Sequence, residues 1–173
     1  MLKLTGYGLK EIIKKLERRR DTVKQQFEES LYFFQGETKL TEANDTANRL
    51  SHKYEELERN IALVQAVQAV YNTSLTITVQ GEKYNLSHAI KLLGGAERIE
   101  KLWQKAAETG TPAYSSYDRV RVTGQEHAKR SILISTAIER AEKASTFVGA
   151  LRAAIAVANS TEKEVSLSED MIS

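Results

Sequence analysis

The sequence predicts a mainly α protein, a long antiparallel helical hairpin or coiled-coil bundle with a small two- or three-stranded β element at one end. Apolar residues recur at alternating three- and four-residue steps over two long stretches. One proline and nine glycines among 173 residues leave those stretches with few breaks. Two short segments, 75–85 and 117–123, switch instead to strict alternation, the period of a strand.

The first helix is predicted over residues 5–34, with Leu9, Ile13, Leu16, Arg20, Val23, Phe27, Ser30 and Phe34 on one seam. Gln35-Gly36-Glu37 breaks the pattern, and Gly36 suits a helix C-cap. A second helix carries the same spacing through Leu40, Ala43, Ala47, Leu50, Tyr54, Leu57, Ile61, Val64, Gln68 and Tyr71. Joined by a short loop, the two form an antiparallel hairpin roughly 45 Å long at 1.5 Å per residue. From Ile61 to Val70 the second helix is apolar nearly all round, which predicts cover on more than one side. In the first strand Leu75, Ile77 and Val79 share a face, and Gln80-Gly81 supplies a turn back through Lys83-Tyr84. A third helix is predicted from about 86 to 107, interrupted at Gly94-Gly95 and stopped by Gly110 and Pro112. After the strand at 117–123, Thr123-x-x-Glu126 reads as a capping box opening a last helix. Its seam is Ile134, Ile138, Ala141, Ala144, Val148, Leu151, Ile155 and Ala158. The expected organisation is one helical domain over 1–160, its β cap at 75–85 and 117–123, and a polar tail or arm over 161–173.

Composition narrows the function classes. Twenty-five basic and 23 acidic residues are interleaved along the chain, which argues against general nucleic-acid binding. The absence of cysteine removes disulfides, thiolate metal sites and thiol nucleophiles, and fits a reducing compartment. Neither an apolar signal region nor a run of about 20 apolar residues is present, so a cytoplasmic protein without a membrane span is expected. His52, His88 and His127 stand in separate segments without a second ligand at metal-binding spacing, so no metal or cofactor is expected. No nucleophile elbow, P-loop or dinucleotide fingerprint occurs, and a non-catalytic protein is the reading that follows.

Three features could form a ligand site. Within the basic run 14–20, Arg20 falls on the seam, where its guanidinium must pair with an acid, set helix register or meet an anionic ligand. On the late strand Tyr117, Arg119, Arg121 and Thr123 share a face, with Tyr114 nearby. Those arginines either protect a strand edge or grip a phosphate while a tyrosine stacks on a base. Asn72 and Thr73, at the end of the second helix, either cap it or read a polar ligand.

The order of short motifs resembles a septicolysin-like family of small helical-hairpin proteins from bacteria and phages. The motifs are Gln35-Gly36-Glu37 after the first helix and Val70-Tyr71-Asn72-Thr73-Ser74 closing the second. Gln80-Gly81-Glu82 then leads into a helix at Ala89-Ile90, Tyr114-Ser115 precedes Arg119-Val120-Arg121, and Ala158-Asn159-Ser160-Thr161 lies near the end. Tyr71, Ser74 and Gly94-Gly95 depart from the family pattern. The resemblance implies assembly as rings or bundles, hexamers among them, and transfers no catalytic residue.

Two functions compete on these grounds. One is an oligomeric binding protein, such as a phage-type sponge sequestering a small anionic, nucleotide-like signal in pockets between subunits. The other is a structural component of a virion or scaffold, which heptads and interleaved charge support equally. A membrane-damaging toxin finds little support, since no basic amphipathic helix with aromatic anchors stands out.

Overall fold

A computed structural model describes residues 2–32, 34, 36, 39–108 and 131–168. Its elements, in order, are β1 (Leu2–Leu4), α1 (Gly6–Ser30), α2 (Leu40–Ser74), β2 (Thr76–Val79), β3 (Glu82–Asn85), α3 (Leu86–Glu108), α4 (Ile134–Asn159) and β4 (Lys163–Val165). The protein is mainly helical, with two small antiparallel sheets and helix packing of the hairpin-bundle kind. Two units divide it, one from residues up to 76 together with those from 157 onward, the other from 77 to 156. The single helical domain expected over 1–160 spans both units.

The first unit is built on α1 and α2. Thr5 opens α1 in extended conformation and its hydroxyl accepts the Gly8 N–H at 3.0 Å, satisfying one of the free donors of the first turn. The heptad seam is the core: Leu9, Ile13, Leu16 and Val23 of α1 are buried with Leu57, Ile61, Val64 and Tyr71 of α2. Gly6 approaches the Tyr71 ring, and Arg20 reaches the Glu58 carboxylate at 3.5 Å. Fourteen residues forward on α1 therefore answer to thirteen residues back on α2, an antiparallel register without a slip.

That register explains two departures from the predicted seam. It sets Ser30, where α1 ends, opposite residues 47–48, so the first two turns of α2 run past α1's last residue. Leu40 is accordingly 68% exposed, and Phe34, expected inside α1, lies beyond its end and is 78% exposed. On the outer side of the apolar stretch 61–70, Leu63 and Val70 also face solvent.

Residues 163–165, expected in a polar tail, form β4 and pair with β1 in antiparallel register, Leu2 opposite Val165, Lys3 opposite Glu164 and Leu4 opposite Lys163. Alternation puts Leu2, Leu4 and Val165 on one face and Lys3 with Glu164 on the other. Val165 and Leu167 are buried, which holds this stretch in the first unit.

In the second unit Ile77 and Val79 are buried while Thr78 faces out, as the alternation predicts. Gln80 and Gly81 both take positive φ, 51° and 89°, the signature of a two-residue type I′ turn that matches strand twist. Asn85 caps α3, its side-chain oxygen accepting the His88 N–H at 2.7 Å. The helix then continues through Gly94-Gly95 without the expected interruption, and no close packing explains the pair: a Cβ on Gly95 would meet nothing within 4 Å. Arg152 pairs with Glu97 at 2.8 Å, and the Arg140 guanidinium lies 4.6 Å from the centre of the Trp103 ring. On α4 Val148, Leu151 and Ala158 are buried, whereas Ile134 and Ile138 of the predicted seam are exposed and Ala137 is buried instead. The strand and capping box expected at 117–126 lie outside the described residues. Among those described, no helix is long and apolar enough to cross a membrane.

The seam carries a direct test. Leu16→Ala should cost about 2–5 kcal/mol of unfolding free energy, and Leu40→Ala should stay within about 0.5 kcal/mol, both read from urea denaturation.

Candidate functional site

Tyr71 ends the buried seam of α2, and its ring is 2% exposed. Its hydroxyl lies 2.9 Å from the carbonyl oxygen of Ala158 and 2.7 Å from that of Thr161, one proton shared between two acceptors. Ala158 is in the last turn of α4, where its carbonyl also accepts the Thr161 N–H at 3.1 Å, and Thr161 lies two residues beyond the helix end. The phenol thus closes the end of one helix from inside the core of another pair. Burial raises the Tyr71 pKa above the ordinary tyrosine value, and the Gly6 backbone N–H facing the phenol oxygen works against that rise. Gly6 has to be glycine for a related reason. A Cβ there would collide with the Asn159 side chain and stand 3.0 Å from the Tyr71 ring.

Beside Tyr71 an open groove of about 380 Å³ separates the last turns of α2 from β4. Val67, Val70, Tyr71 and Ser74 line it on the helix side, with Lys163, Glu164, Val165 and Ser166 across from them. Lys163 bridges the groove: its ammonium donates to the Ser74 hydroxyl at 2.7 Å and approaches the Ser74 carbonyl at 3.4 Å. Ser74 Oγ in turn donates to the Tyr71 carbonyl at 2.9 Å. Lys163 so caps the C-terminus of α2, a favourable place for a cation. Among the described residues it has no carboxylate partner.

The residues proposed from sequence divide into three sets. Arg119, Arg121, Tyr114 and Tyr117 lie outside the described residues. Arg20 is paired: it donates to Asp21 at 2.8 Å and 3.0 Å and to Glu58 at 3.5 Å. Of the three roles open to it, pairing with an acid is the one found. Glu58 also holds the neighbouring Tyr54 phenol in its protonated form, raising its pKa. Thr73 bonds back onto its own helix, 3.1 Å from Ala69 O and 3.0 Å from Val70 O, and Asn72 is half-buried next to it. Fourteen residues separate Glu58 from Asn72, roughly 21 Å along α2, so Arg20 does not share a site with Asn72 and Thr73.

Sequence reading missed Tyr71's hydroxyl, Gly6 and Lys163. The alternation Lys163, Val165, Leu167 was the available signal for the last. Among the described residues, no group of three or more histidine, aspartate or glutamate side chains is placed to hold a metal ion. The sequence matches no known family model and no curated protein, and the fold matches no solved structure.

Tyr71→Phe removes this donor from the Thr161 carbonyl and leaves the Ala158 carbonyl with the Thr161 N–H alone, and should cost about 0.5–1.5 kcal/mol. Because the folded pKa lies above the unfolded value of about 10, Tyr71's contribution is complete below that pH and is lost as pH rises through the folded value. Melting curves from pH 8 to 11 should therefore fall more steeply for the native chain than for Tyr71→Phe.

Proposed function

We propose that the chain is a non-catalytic, self-associating binding protein for a small anionic ligand, of which a sponge for a nucleotide-like signal in a bacterial or phage-infected cytoplasm is one form. The observation behind this reading is Lys163, a cation without a carboxylate partner among the described residues, beside a groove at the end of α2 whose lining includes Tyr71 and Ser74 but not Asn72 or Thr73. The groove has the size of small-molecule sites, about 300–1,000 Å³. The resemblance of the short motifs to the septicolysin-like family adds support for assembly from helical hairpins.

A structural assembly role has its own support. Leu31, Tyr32, Phe34 and Leu40, 53–86% exposed, gather around the loop end of the α1–α2 hairpin. Large apolar side chains grouped on one surface are features of contact surfaces.

Titration calorimetry of the purified chain with a panel of mono- and dinucleotides and simple carboxylates, with light scattering on a sizing column, tests both readings. Saturable binding of at least one anion by a defined oligomer is expected. A chain that binds none of them yet forms open polymers would overturn the binding reading and favour assembly.

A further inference from the structure

We infer that the groove between α2 and β4 takes an amphiphile with a single negative charge and an apolar body, such as a medium-chain carboxylate, with Lys163 holding its head. This deepens the binding reading above and rests on it. The groove's walls are mostly hydrocarbon. Val67 and Val70 stand three residues apart on one side of α2, with the Tyr71 ring one position on, and Val165 closes the β4 side. Val70 is 68% exposed, a β-branched side chain at the lip with little cover. A ribose or a phosphate chain with a second negative charge would meet Ser74, Lys163, Glu164 and Ser166 as its polar neighbours, one of them a repelling carboxylate.

The charge of the site is set by Lys163. Glu164 also lines the groove, but it makes no ion pair with Lys163, and alternation along β4 sets the two on opposite faces, Glu164 in register with Lys3. The C-terminal dipole of α2 offsets about half a unit charge. Two of the ammonium's directions are taken by the Ser74 hydroxyl and carbonyl, and its third proton is left for an added acceptor. One positive charge, half neutralised, with one donor to give, fits one carboxylate. The volume of about 380 Å³ holds a single chain rather than a patch of bilayer, so the ligand is a free molecule.

Decanoate below its micelle concentration is the probe, titrated into the full chain by calorimetry beside octanoate, decanol and adenosine monophosphate. Saturable binding is expected, tightening about fourfold for each methylene buried. Lys163→Met keeps the aliphatic stem and should weaken decanoate about tenfold or more while leaving decanol unchanged. If that variant loses helix content, Val70→Asn at the exposed lip serves instead. It should weaken decanoate and flatten the chain-length dependence with the melting temperature unmoved. Decanoate binding that ignores chain length, or that both variants retain in full, would overturn the inference. Adenosine monophosphate binding without decanoate binding would overturn it and leave the broader binding reading standing. Loss of all anion binding would end both.

Discussion

A single buried hydroxyl joins the two ends of the first unit. The unit's hydrophobic seam would hold α1 against α2 without help, since regular heptads need only burial. What the seam cannot do is attach the segment from 157 onward, which arrives after the intervening second unit. Tyr71 takes part in that attachment by offering one proton to Ala158 and Thr161 from within the seam. Val165 and Leu167 then bury beside it, and β4 pairs with β1. An apolar residue at position 71 would complete the coil but leave two carbonyls at the end of α4 without this donor. The arrangement also fixes Gly6, because α1 must start where a phenol ring and an asparagine leave no room for a methyl group.

Farther along the hairpin, Arg20, Glu58 and Tyr54 are the polar group within the seam. A charged residue at such a position sets alignment more than it adds stability, since only one register brings guanidinium and carboxylate together. The pair is only half-shielded, with side chains 27% and 42% exposed, so water moderates both its cost and its strength. Charge at one level and the Tyr71 contact at another mark two points of the same register. With both met, Ser30 and Leu40 have no freedom to come level, and the overhang of α2 follows.

The long helices and the burial of Leu9, Ile13, Leu16, Leu57, Ile61 and Val64 were legible because their signal repeats over many turns. The Gln80-Gly81 hairpin was legible from turn chemistry and a short alternation. β1 and β4 were not, since three residues each give too little period to register, and their partners lie at opposite ends of the sequence. Gly94-Gly95 misled for a different reason: helix propensity is a weak preference, and two glycines can continue a helix that its surroundings hold. The candidate site suffered most. Lys163 looked like one charge among many, and its importance comes from its contact with Ser74 at the end of α2, 89 residues away in sequence, rather than from any motif. Arg20 could be recognised as needing a partner, but only the register showed that Glu58 supplies it.

Sequence distance between Tyr71 and its acceptors has a consequence for how the chain is made. Thr161 follows Tyr71 by 90 residues. At about 5–20 residues per second, a ribosome delivers the second acceptor roughly 5–20 s after the phenol has left the exit tunnel. Helix formation and hairpin closure take microseconds, so the α1–α2 hairpin waits through almost that whole interval with its far end open. Val67, Val70 and the Tyr71 ring are then a bare apolar ledge on a nascent chain. The groove that later offers itself to a ligand is, during synthesis, a place where a chaperone or a neighbouring nascent chain can settle first.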